Sequence, residues 1–114
     1  MGKMTVVNLE AGMPTVATAQ SLLSQSLRTA KANGTRLVKL IHGYGSTGKG
    51  GAIRGAVRRE LADRKRRGQI TAFIPGEEFS PFDEDTRKAL SRHPDLAKDR
   101  DYSRQNHGIT IVVL

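Results

Sequence analysis

The chain reads as an α/β domain in which helices alternate with mostly parallel strands. Three observations carry this reading. Short apolar runs rich in β-branched residues alternate with stretches of helical period in the order β-α-β-α-β, and a last apolar run closes the chain. Short connections between such elements imply parallel strands joined by right-handed crossovers. The run "RLVKLI" (36–41) is almost continuously apolar, which suits a buried strand of a parallel sheet. A glycine-rich turn then leads into an arginine-rich helix, an arrangement that exposes backbone N–H groups at a helix N-terminus, where oxyanions bind.

Each element has a local cause. "MTVVNLE" (4–10) is short and β-branched and predicts the first strand. Thr15 suits the N-cap of a helix running to about Asn33, because Val16, Ala19, Leu22, Leu23, Leu27 and Ala30 recur on one helical face. Gly34 suits its stop. After strand 36–41, five glycines between residues 43 and 51 interrupt regular structure. A second helix is predicted over Ala52 to Arg67, burying Ile53, Val57 and Leu61 at i, i+4 and i+8 and ending at Gly68. "QITAFIP" (69–75) predicts the third strand and "GITIVVL" (108–114) the last. Between them, residues 76–106 are polar and begin acidic. They read as an insertion packed on the sheet edge or partly mobile, with "DEDTRKALSRH" as a short helix stopped before Pro94. The whole 1–114 forms one domain with an order of β-α-β-α-β-β.

Composition narrows the function. With 37% hydrophobic and 26% charged residues the chain is of soluble globular type. It has no cysteine, which removes disulfides and thiolate metal sites and suits a cytoplasmic location. No apolar run approaches membrane-spanning length, so no membrane partner is expected. The net charge of +8 is unevenly spread. Residues 1–75 hold thirteen Lys or Arg against three acids, whereas residues 76–114 hold six against eight. A basic excess around the glycine-rich turn favours polyanions, nucleic acid above all.

Gly43 to Lys49 spell G-x-x-x-x-G-K, one residue short of a nucleotide-hydrolysing P-loop. The residue after the lysine must offer a hydroxyl to magnesium, and here it is Gly50. No carboxylate ends an apolar strand to complete such a site. ATP or GTP hydrolysis is therefore set aside.

The stretch "IHGYGSTGKGGAIRGAVRREL" resembles the Smr (small MutS-related) domain family. The resemblance rests on His42-Gly43-Tyr44-Gly45 after an apolar strand, on further glycines and Arg54 at the opening of a helix, and on "HGITIVVL" as a closing strand. It implies a two-layer α/β sandwich whose four-stranded sheet resembles the C-terminal domain of bacterial translation initiation factor three. It also implies binding of DNA or RNA, with nicking or cleavage in several members, some acting on messenger RNA at ribosomes. The chain departs from the family at the first strand. Active members carry Leu-Asp-x-His there, and this chain has Val7-Asn8-Leu9-Glu10.

The candidate site follows from both readings. His42, at a strand end and titrating near neutral pH, is a phosphate contact or acid–base group, or else a structural residue pinning the loop. Glu10 is a candidate base or metal holder, and Asn8 occupies the family's acid position but cannot take a proton. Gly43 and Gly45 allow close approach of backbone to ligand. Lys49, Arg54 and Arg58 are candidate phosphate contacts, the two arginines sharing a helix face, and Tyr44 is placed to stack on a base. Arg64 to Arg67 either relieve the helix dipole or extend a nucleic-acid track. His93 and His107 have no evident partner. The run "EEFSPFDED" is read as a solvated loop more readily than a cation site. The expectation is a nucleic-acid-binding domain, RNA before DNA, needing no cofactor beyond an optional divalent metal, with the ribosome as a further candidate partner. The alternatives are an endonuclease using His42 and Glu10, and a domain that docks a small phosphate ligand or a protein.

Overall fold

A computed structural model describes residues 4–12, 14–44 and 49–114, and for residues 49 and 50 the backbone alone. The order is β1 (Met4–Asn8), α1 (Val16–Ala32), β2 (Leu37–Ile41), α2 (Lys49–Arg66), β3 (Ala72–Pro75), α3 (Glu84–Arg92) and β4 (Ile109–Val113), with short 3₁₀ turns at Gly76–Glu78 and Pro94–Lys98. The helix ends obey local chemistry. Thr15 accepts a hydrogen bond from the Thr18 amide at the start of α1. At its end the Thr35 amide reaches the Ala30 carbonyl and the Gly34 amide reaches Lys31, with Gly34 at φ 74°. Gly68 closes α2 in the same way, through Gln69 to Arg64 and Gly68 to Lys65.

The sheet order is β1-β2-β4-β3. β1 runs parallel to β2, and β4 runs antiparallel to both β2 and β3. Three of four strands thus share one direction, as expected, yet the last strand enters between β2 and β3 and makes two of the three ladders antiparallel. This places both near-continuous apolar runs, β2 and β4, in the centre, where each is covered on both faces.

One face of the sheet carries α1 and α2. Leu23, Leu27, Val38, Leu40, Val57, Leu61 and Val112 pack there and are almost inaccessible to water. Burying each such side chain stabilises by about 1.5–3 kcal/mol relative to exposure. The other face carries a second core of Leu37, Ile74, Phe79, Ala89, Leu96, Ile109 and Ile111. Residues 76–106 therefore cover a face of the sheet, adding a thin layer to the two-layer sandwich, and do not sit on its edge. A buried ion cluster fixes this layer. Lys39, at the centre of β2, projects into it and meets Asp99 at 2.9 Å and Asp101 beside it.

Candidate functional site

Five chain segments meet where β1 and β2 end. Because β4 is antiparallel, its first residues come to this same end, as do the last of β3 and the first turn of α2. The Leu9 amide donates to the Ile41 carbonyl at 2.7 Å, joining the exits of β1 and β2. The His42 and Gly43 amides both donate to the Gly108 carbonyl, at 3.0 and 3.1 Å. The loop after β2 is thus stapled to the entry of β4. Gly43 has φ 71°, the left-handed region that favours glycine.

His42 lies beneath this loop and has no exposed surface. Its Nδ1 donates to the Gly43 carbonyl at 2.7 Å, so Nε2 accepts from the Thr110 hydroxyl at 2.8 Å. Thr110 in turn accepts from Arg58 Nε at 3.3 Å. Burial, reinforced by the positive charges of Arg58 and Arg54, lowers the His42 pKa to about 4, against the raising effect of its bond to Gly43. The expectation that His42 titrates near neutral pH is corrected: it is a neutral, fully bonded histidine that pins the loop.

Arg58 differs from expectation for a related reason. Its guanidinium grips the Glu77 carboxylate with both Nη atoms at 2.8 Å, while Nη2 also reaches the Ile109 carbonyl at 3.3 Å. Partial burial alone would raise the Glu77 pKa, but these charged hydrogen bonds outweigh it and hold the carboxyl below its ordinary value. Arg58 thus ties α2 to the turn after β3, with its donors already engaged. Arg54, one turn nearer the glycine-rich loop, pairs with no carboxylate among the described residues. Arg59 folds back over Gly55, whose missing Cβ makes room for the guanidinium.

On the β1 side, the Asn8 side chain accepts the Glu10 amide at 2.9 Å and so shapes the turn out of the strand. The exposed Glu10 carboxylate lies against Gly43 and fills the space that a Cβ there would take. The first-strand residues and the His-Gly-x-Gly loop are therefore neighbours. Tyr44 is exposed and packs one ring edge over Gly108. His107, which sequence reasoning left without a partner, stands next to it. Its ring lies 6.3 Å from that of Tyr44 and its Nδ1 3.8 Å from Glu77. Asn106 fixes that turn by accepting the Gly108 amide and donating to Asp101, both at 2.9 Å. Gly45 and the Lys49 side chain lie outside the described residues.

The Smr domain family matches residues 11–79, more than half of the chain. The chain belongs to the Smr domain family. The Smr domain of Thermus thermophilus MutS2, a crystal structure, superposes with a TM-score of 0.59 at 27% identity, covering 96% of each chain. Among curated proteins none matches. The family match ends at Phe79, so it spans the His-Gly-x-Gly loop, α2 and Glu77, but not His107 or Thr110.

Of the residues missed in this Smr domain, one had a readable trace. Thr110 is the only polar side chain in "ITIVVL" and falls on the helix-facing side of β4. Glu77 and His107 had none, because only the return of the chain brings them to the loop. The arginine-rich end of α2 lies at the opposite end of the domain, since an 18-residue helix spans about 27 Å. There Arg66 and Arg67 pair with Asp63, and Arg64 with Glu60. The acidic run is dispersed as well: Glu77 holds Arg58, Asp83 caps α3, and Asp85 faces Lys65. Among the described residues no group of three or more His, Asp or Glu is arranged to hold a metal ion. No described helix is long and apolar enough to cross a membrane.

Proposed function

We propose that this Smr domain binds nucleic acid, single-stranded RNA foremost, through phosphates at the loop after β2 and the first two turns of α2. The observation that supports this most is the contrast between the two arginines one turn apart. Arg58 is consumed by Glu77, whereas Arg54 stands beside the loop with no described carboxylate to neutralise it. The first turn of α2 also holds no acidic residue, so its N-terminal partial charge is available to an anion. Arg54 with Lys49 grips phosphate, the Gly43–Gly45 backbone approaches it, and Tyr44 stacks on a base, with His107 flanking the ring. His42, Arg58 and Glu77 form the base plate under this surface. Partners on the ribosome and a cytoplasmic setting accord with this reading.

Salt titration of fluorescence anisotropy with a labelled single-stranded RNA tests it. Two or three phosphate contacts give a slope of log K against log salt of about −1.4 to −2.1. Arg54→Ala lowers the slope by about one contact's worth. A slope near zero instead indicates a small ligand or a protein partner.

One observation favours a second reading, that of an endonuclease: the Glu10 carboxylate lies against Gly43 at the loop where a phosphate would sit. In that case Glu10, and not the buried His42, takes the proton, and Asn8 orients it through the turn. A denaturing gel of end-labelled RNA, with and without chelator, decides: cleavage lost in Glu10→Gln supports catalysis, and intact RNA at binding concentrations leaves a binding module.

A further inference from the structure

Phe82 is 91% exposed, the most exposed large apolar side chain described. An aromatic ring left in water is ordinary in a loose loop, but this loop is firmly built. Phe79, three residues earlier, is completely buried and meets Tyr102 edge-on at 5.2 Å. The Phe82 amide donates to the Ser80 hydroxyl at 3.3 Å, and Asp83 caps α3 through the Thr86 amide and hydroxyl, both at 2.9 Å. Arg87 reaches back to the Pro81 carbonyl at 2.9 Å. The ring is therefore held out from the surface at little further cost in ordering, as in an interface anchor. Exposed Glu78 and Glu84 lie four and two residues from it along the chain, so this stretch repels a phosphate backbone.

The same chain offers a matching recess. A cleft of about 480 Å³ runs between α3, the start of β3 and the last turns of α2. Its floor is Ala72, Ala89 and Val113, and its rim carries Lys65, Lys88 and Arg92. Two of these cations have only long, exposed contacts, Lys65 to Asp85 at 3.8 Å and Lys88 to Glu84 at 3.5 Å. Such pairs are worth little and exchange readily. Knob and cleft lie along one short helix: Phe82 precedes α3, and Asp85, Lys88, Ala89 and Arg92 form its i, i+3, i+4, i+7 stripe. The nine residues of α3 span about 13 Å. Two copies with their α3 helices antiparallel would therefore bring each Phe82 to the other's cleft.

We infer that this Smr domain self-associates as a two-fold dimer, the acid-flanked Phe82 of each copy entering the cation-rimmed apolar cleft of the other. Such an interface is isologous and closes on itself. Two aromatic anchors and a small polar rim place it in the low size class, below about 1,200 Å² in total, so the dimer is weak and concentration-dependent. Its cleft, at the last turns of α2 and the start of β3, lies at the other end of the domain from the loop after β2, and its test uses no nucleic acid.

Sedimentation velocity of the 114-residue chain over micromolar to near-millimolar concentration reads the outcome. The expected result is a monomer that becomes a dimer and no larger species. Phe82→Ala and Ser91→Trp, the second filling the cleft from an exposed position of α3, each raise the concentration for half-association tenfold or more. Both sites are exposed, and unchanged circular dichroism and melting confirm intact folds. A chain monomeric throughout, a dimer indifferent to Phe82→Ala, a dimer indifferent to Ser91→Trp, or an open polymer each overturns the inference.

Discussion

At the scale of the residue, His42 separates importance for the fold from a part in chemistry. It is buried, neutral and bonded at both nitrogens. Its removal leaves the Thr110 hydroxyl and the Gly43 carbonyl with unmet polar groups, and His42→Ala is expected to destabilise the domain by about 2–4 kcal/mol in urea unfolding. Lost activity in that variant therefore reports loop collapse before catalysis. The same burial makes stability depend on pH. The folded pKa of about 4 lies below the ordinary 6.5, so the unfolded chain binds the extra proton. The stabilisation is complete above pH 6.5 and is lost as pH falls toward 4. It amounts to roughly 3 kcal/mol, and His42→Gln flattens the profile across that window. Tyr44→Ala, by contrast, leaves stability unchanged, since the ring is exposed, and weakens RNA binding by about 1–3 kcal/mol in anisotropy titrations.

At the scale of the element, the layer formed by residues 76–106 is the least legible part of the sequence. The helix α1, its Thr15 cap and Gly34 stop, and the stripe Ile53, Val57, Leu61 were readable because they follow local periodicity and capping rules. The covering layer has short turns and one nine-residue helix, so no long period announces which face it covers. Its hold on the sheet is a long-range pairing, Lys39 with Asp99 and Asp101, invisible in a linear reading that shows only one polar residue in an apolar strand. Lys39→Met strands two largely buried carboxylates, with an expected cost of about 3–5 kcal/mol. Hydrogen exchange should then show residues 94–106 losing protection before the α1–α2 face does. Burial alone would raise the Asp101 pKa, but bonds from Lys39 and Asn106 hold it below its ordinary value. This contribution is present above pH 3.8 and is lost as pH falls below it. Gly76 marks the hinge between sheet and layer. A Cβ there would collide with the Asn106 carbonyl, a backbone atom, and crowd Ile109 of the core, neither of which can swing away. Gly76→Ala should lower the melting temperature more than Gly43→Ala, where the left-handed φ carries a cost but an exposed Glu10 can retreat.

At the scale of the whole molecule, the chain separates two kinds of positive charge. The end of α2 carries more cations, yet Asp63 and Glu60 engage three of them. The loop end carries fewer, with Arg54 free of described carboxylates and the acid-free first turn of α2 beside Tyr44. Count alone, which is all that a sequence shows, could not rank these ends, and the pairing pattern does. The site's composition was legible in the His-Gly-x-Gly loop, but its depth was not. The motif names His42, and the helix face names Arg58, without telling that β4 brings Thr110 beneath them and that the turn after β3 brings Glu77 to Arg58. The most direct test of this account is a map of backbone amide shifts by ¹⁵N NMR as single-stranded RNA is added. The account predicts the largest changes at Gly43, Tyr44, the first two turns of α2, His107 and Gly108, fading as salt rises. Changes concentrated at residues 64–67, with the loop end silent, would contradict it.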